Sequence, residues 1–200
     1  EGNSIIGAWD SSKLPSIGAY ILRLRSIKNG LESTDEEITT FENYLVGWPK
    51  KVGRIDRSSP VIADIDRDGT QEIIIGGGTD VYVFRYDGSF AQGWEKGKFV
   101  LGGTYSSPAV ADIDNDPELE IIINTNGMVF AFNHDGTYVN GWPVKLSSPH
   151  PFFSSPVVFN KDGKKKILVG TDDGLKMLNS DGTEDTSFVN NVVGYVPSSP

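Results

Sequence analysis

The sequence predicts an all-β fold of four-stranded β-propeller blades on a repeat of about 48 residues, forming an incomplete ring with a short N-terminal β segment. Three observations predict it. Ser-Ser-Pro recurs at positions 58, 106, 154 and 198, at intervals of 48, 48 and 44 residues. Each interval repeats one order of short β-branched runs and turn residues, which is how strands read in a sequence. The 23 glycines and 11 prolines break the chain into apolar runs too short for helices. A period of this length with four strands per repeat is that of a propeller blade.

Residues 1–43 do not fit the repeat and read as the C-terminal strands of a β-sandwich-like domain. Gly18 to Arg25 alternates, with Tyr20, Leu22 and Leu24 on one face. Asn29-Gly30 is a turn signal, and Ile38 to Phe41 reads as the returning strand. The Gly-x-Tyr-x-Leu-x-Leu setting resembles the closing strands of immunoglobulin-like or fibronectin-like domains. Ser33 and Glu36 also have capping-box spacing, a competing helical reading.

Residues 44–200 read as a partial propeller. Gly47-Trp48-Pro49 matches Gly93-Trp94 and Gly141-Trp142-Pro143 near the ends of later repeats, so 44–57 reads as an orphan outer strand. Blades then span 58–105, 106–153 and 154–197, and 198–200 opens another. Each blade starts with an apolar run ending in a loop. A β-branched run follows: Glu72 to Gly76, Glu120 to Asn124, Lys166 to Gly170. An alternating strand then ends in Asp87-Gly88, Asp135-Gly136 or Asp181-Gly182, where glycine accepts positive φ without steric cost. The recurring Trp reads as a blade-to-blade packing residue. Three repeats cannot close a ring, since propellers need about four to eight blades. The chain is therefore expected to be part of a longer parent protein.

Charge narrows the function. The net charge is -9, and no basic face suggests a nucleic-acid partner. The absence of cysteine excludes disulfides and thiolate chemistry. No apolar stretch is long enough for membrane insertion as a helix. No catalytic constellation stands out. His134 and His150 sit in turn and proline-flanked settings, and the Ser-Ser-Pro serines recur as strand starters. Gly76-Gly77-Gly78-Thr79 lacks the ending of a phosphate loop.

The acidic residues cluster in two loops. Asp64, Asp66 and Asp68 stand at loop positions 1, 3 and 5, followed by Gly69, Thr70 and Glu72. Alternate carboxylates on a tight loop converge on one point, with the Thr70 carbonyl turned inward and Glu72 closing the shell. Calcium takes about six to eight such oxygens. The second loop offers Asp112, Asp114, Asp116 and Glu120 with the Glu118 carbonyl, and Pro117 replaces the glycine. An EF-hand needs Glu at position 12, where Ile75 and Ile123 stand here. Magnesium is disfavoured because it retains more water. Two Ca2+ sites are therefore expected. The third loop, Asn160 to Lys166, is two residues shorter, and Lys166 stands where Glu72 and Glu120 stand. Its ammonium is expected to fill the space of a metal, leaving no calcium there.

The stretches Asp-Ile-Asp-Arg-Asp-Gly-Thr-Gln-Glu at 64–72 and Asp-Ile-Asp-Asn-Asp-Pro-Glu-Leu-Glu at 112–120 resemble the FG-GAP/VCBS-type repeats also found in integrin α-subunit heads. The resemblance implies calcium-stabilised loops within blades and an extracellular or cell-surface setting. With no catalytic constellation in view, the function expected is a non-catalytic module for adhesion, ligand binding or scaffolding, with a protein or carbohydrate partner. The alternative is an accessory propeller of a secreted hydrolase, a protease or a carbohydrate-active enzyme.

Overall fold

Asn29 and Gly30 both adopt left-handed φ, 52° and 77°. That geometry matches the twist of flanking strands and pins their register. Strands β1 (Gly18–Lys28) and β2 (Leu31–Phe41) accordingly pair antiparallel along their whole length, from Lys28 opposite Leu31 to Gly18 opposite Phe41. The returning strand is longer than Ile38 to Phe41, and it absorbs Ser33 and Glu36, which displaces the helical reading. The computed structural model describes residues 18–41, 47–55, 57–146, 154–192, 194 and 196. Among them there is no helix. The chain divides into two units, Glu1–Trp48 and Pro49–Pro200. The hairpin lies in the first. Residues 44–46 of the expected orphan strand fall outside the described residues.

The second unit contains the blades. In blade 1, β3 (Val61–Ala63), β4 (Glu72–Gly77), β5 (Asp80–Arg85) and β6 (Lys98–Phe99) form an antiparallel sheet in chain order. Blade 2 repeats it with β7 (Ala109–Ala111), β8 (Glu120–Asn124), β9 (Met128–Phe132) and β10 (Val144–Lys145). Blade 3 has β11 (Val157–Lys161), β12 (Lys164–Thr171) and β13 (Gly174–Asn179) among the described residues. The innermost strands are neighbours, β3 beside β7 and β7 beside β11. This is the radial arrangement of a propeller.

The apolar runs are continuous because a blade is covered on both faces. Ile121 and Ile123 pack with Ile74, Val81, Val83 and Trp94 of blade 1. Ile122, between them, packs with Ile167 and Val169 of blade 3. Successive side chains on a strand point to opposite faces, so β8 must be apolar on both. Trp94 and Trp142 seal the two junctions. Their indole N–H groups donate to the carbonyls of His134 (2.7 Å) and Ser180 (2.9 Å) in the following blade. The glycine before each Trp lies against that same turn. A Cβ on Gly93 would overlap the Asp135 carbonyl, and one on Gly141 the Asp181 carbonyl. The Gly-Trp pair therefore docks on the Asp-Gly turn of the next blade.

Ser-Ser-Pro is also an inter-blade device. The Ser59 N–H donates to Ser107 Oγ, and the Ser107 N–H to Ser155 Oγ, both at 2.9 Å. In blades 2 and 3 the first serine of the pair works within its own blade. Ser106 Oγ donates to the Asn124 carbonyl, and Ser154 Oγ accepts from Gly170 N–H.

Candidate metal centre

Each acidic loop leaves an inner strand and returns as the second strand, so its first Asp and last Glu face one another across the loop. In blade 1, carboxylate oxygens of Asp64, Asp66 and Glu72 lie within 4.8 Å of one another. In blade 2 the same holds for Asp112, Asp114 and Glu120. The Glu is buried in both, 1% and 0% exposed. One oxygen fixes the loop: Glu72 Oε2 accepts from Ile65 N–H at 3.0 Å, and Glu120 Oε2 from Ile113 N–H at 2.6 Å. The other, Oε1, is buried with no hydrogen-bond partner in each case, as is Asp64 Oδ1.

Buried carboxylate oxygens without a donor are costly, about 1–3 kcal/mol each and more when charged. The electrostatics reflect this. Burial, and then repulsion from Asp114, Asp116 and Asp112, pushes the Glu120 carboxyl up to about 7. Glu72 is raised for the same reasons, with Asp66, Asp68 and Asp64 as the repelling charges. A bound divalent cation would supply the missing partner and cancel the repulsion. The donor set is all oxygen, which suits a hard cation. The residues therefore fit a metal ion.

The remaining expected ligands hold the loops. Asp68 Oδ1 accepts from Thr70 N–H and Thr70 Oγ1, at 2.7 and 2.5 Å, which keeps its carboxyl below the usual range. Asp116 Oδ1 accepts from Glu118 N–H at 3.0 Å. Asp68 and Asp116 lie in the loops but outside the two triads. The loops differ at one point for a clear reason. Asp64 Oδ2 accepts from Gly69 N–H, but Pro117 at the matching position has no N–H, and Asp112 Oδ1 accepts from Asn115 N–H instead. The turn survives the substitution because Arg67 and Asn115 both take left-handed φ, 57° and 69°.

The two loops also touch. Leu119 N–H donates to the Ile65 carbonyl at 2.9 Å, and Arg67 Nε to the Pro117 carbonyl at 3.0 Å. Nothing in the repeat signature announced this contact, because it joins residues about one period apart.

Blade 3 differs. Its loop is a two-residue hairpin turn, Asp162 and Gly163, with φ of 53° and 76°. Lys166 shares the register of Glu72 and Glu120. Its ammonium reaches Asn179 Oδ1 (2.5 Å) and Asp185 Oδ2 (2.6 Å) on the β13 side. Asp185 stands where blades 1 and 2 carry Ala91 and Val139, each donating its N–H to the matching strand. Lysine and its counter-ion thus arrive together. Lys166 holds Asp185 well below the usual carboxylate range. Sequence reading found the lysine and missed Asp185, whose partnership depends on strand register.

Residues 64–123 match the family model of the FG-GAP-like repeat, so both acidic loops lie in an FG-GAP-like repeat segment. No curated protein matches the chain. Among solved structures, BBS1N in complex with ARL6DN, soaked with lead, aligns at 11% identity and a TM-score of 0.48, over 77% of this chain and 47% of that one. The mercury-soaked crystal of the same complex aligns at 12% identity and 0.45, over 78% and 48%. The V. cholerae biofilm matrix protein Bap1 aligns at 20% identity and 0.32, over 88% and 40%. The chain spans about half the length of the first two structures. No helix among the described residues is long and apolar enough to cross a membrane.

Proposed function

We propose that this chain is a non-catalytic propeller module that binds two calcium ions, works outside the cell or at its surface, and presents its blades to a protein or carbohydrate ligand. The observation that carries the calcium reading is the pair of buried glutamates, each with one oxygen lacking a partner beside two aspartates. Asp68 and the Thr70 carbonyl complete the first site, and Asp116 and the Glu118 carbonyl the second. An extracellular setting follows from calcium supply, since millimolar calcium fills sites of modest affinity. The hairpin of the first unit is read as the tail of a sandwich-like domain.

Thermal melting of the metal-stripped chain, with calcium and then magnesium added back, tests this. A calcium-selective rise in Tm with two ions bound per chain is expected, because binding to the native state alone stabilises it. No response, or an equal response to magnesium, would remove the calcium reading.

A further inference from the structure

A groove of about 340 Å³ opens between blades 2 and 3; the matching cleft between blades 1 and 2, beside Ile65, Asp66, His134 and Asp135, is smaller, about 240 Å³, and no lysine lines it. At the first junction the acidic loop of blade 2 takes up part of the space and bonds back through Leu119 and Pro117. Blade 3 lacks those residues, since its loop is a tight turn. The vacated space is walled on one side by Ile113 and Asn115. On the other stand Gly163, Lys164, Lys165 and Lys166.

Three consecutive lysines are out of character for a chain of net charge -9. Lysine on an exposed edge strand commonly guards against sheet aggregation. That explanation does not apply here, because β12 is the central strand of its blade. Lys165, itself half-buried, shares its face with Ile167 and Val169, which pack toward blade 2, so its side chain lies on the groove side. Lys166 is neutralised by Asp185. Lys164 and Lys165 make no ion pair among the described residues. Asp181 also lines the groove, and its Oδ1 is occupied by the N–H and Oγ1 of Thr183.

We propose that this groove binds a small oxyanion group, a sulfate, phosphate monoester or carboxylate, held by Lys165 and Lys164. Its volume is that of a small-ligand site. Lys164 and Lys165 together outweigh the single Asp181 carboxylate, and ammonium groups in a partly enclosed cleft attract an anion more strongly than the same charges in open water. The site uses none of the carboxylates of the acidic triads, although Ile113 and Asn115 of its wall belong to the second acidic loop.

The test is an NMR titration of the full chain with sodium sulfate, methyl phosphate and acetate, each at constant ionic strength with chloride as the filler. Sulfate is expected to shift the amides of Asn115, Gly163 to Lys166 and Ser180 saturably, with Kd on the order of 1–10 mM. Lys165→Gln is expected to weaken binding about tenfold or more, and the exposed Lys164→Gln severalfold, while Lys96→Gln leaves it unchanged. A preference for sulfate or methyl phosphate assigns the site to an ester anion, and equal or better binding of acetate assigns it to a carboxylate. Shifts spread evenly over all lysines and arginines, or unchanged binding in both groove variants, would overturn the proposal.

Discussion

Glu120→Gln should make the metal-free protein more stable while removing half of its response to calcium. Glu120 is fully buried, and its triad oxygens lie within 4.8 Å of those of Asp112 and Asp114. Two unit charges at that distance repel by about 3 kcal/mol each pair at an effective dielectric constant near 20. Asp112 is half-buried and Asp114 exposed, so solvent screening reduces the sum of two pairs to roughly 2–3 kcal/mol. Glutamine keeps the carbonyl that accepts from Ile113 N–H, and its NH2 offers Asp112 and Asp114 a donor. For a chain of this size, about 2–3 kcal/mol corresponds to a Tm increase of roughly 5–10 °C. The calcium effect runs the other way. At about 100 times Kd each site contributes near 2.7 kcal/mol, so the wild type gains about 5 kcal/mol and the variant about half. The assay is differential scanning calorimetry at about pH 8, where the Glu120 carboxyl is ionised, in chelator and in excess calcium. A lower Tm in chelator, or an undiminished calcium shift, would refute the reasoning.

Gly93→Ala should destabilise the first blade junction by about 2 kcal/mol or more, because its φ is +81° and a Cβ would overlap the Asp135 carbonyl. Urea denaturation measures it, and a neutral effect would mean the Gly-Trp dock is loose. The contact between the two acidic loops predicts cooperative binding at the two proposed calcium sites, which Arg67→Ala should reduce by removing the bond to the Pro117 carbonyl. Isothermal titration should show a lower Hill coefficient with total stoichiometry unchanged, and identical isotherms would count against coupling by this bond. Asp185→Asn tests the Lys166 pair by pH. The Asp185 carboxyl is depressed in the folded state, so its stabilisation is full above the ordinary aspartate range and fades as acid protonates it. The Tm gap between wild type and variant should therefore be widest near neutrality and shrink below about pH 4. A gap independent of pH would show that the loss is one of packing.

Much of the blade was legible in the chain because its signals are local. The Asp-Gly and Asn-Gly turns, the β-branched runs and the Asp-x-Asp-x-Asp spacing each follow from one residue's conformational or ligating preference, and repetition raised them above chance. Asn29-Gly30 announced a turn, but the full length of β2 emerged only with its pairing to β1. Lys166 was legible as a charge reversal; its reach toward β13 was not, since a strand gives a side chain two neighbours and sequence names neither.

The sequence by itself determined the period, the strand order within a blade, the acidic loops and the distinct character of the third loop. Only tertiary structure decided what each repeated word is for. Ser-Ser-Pro and Gly-Trp act on the next blade, at partners 48 and about 40 residues away. The groove at the second junction is wider than its counterpart and lined by lysines where a short loop in one blade faces a long one in another. The physical reason is common to all of these. Turn and strand preferences are properties of adjacent residues, whereas hydrogen bonds, buried unpaired oxygens and clefts between blades are properties of surfaces that meet only after the chain has folded.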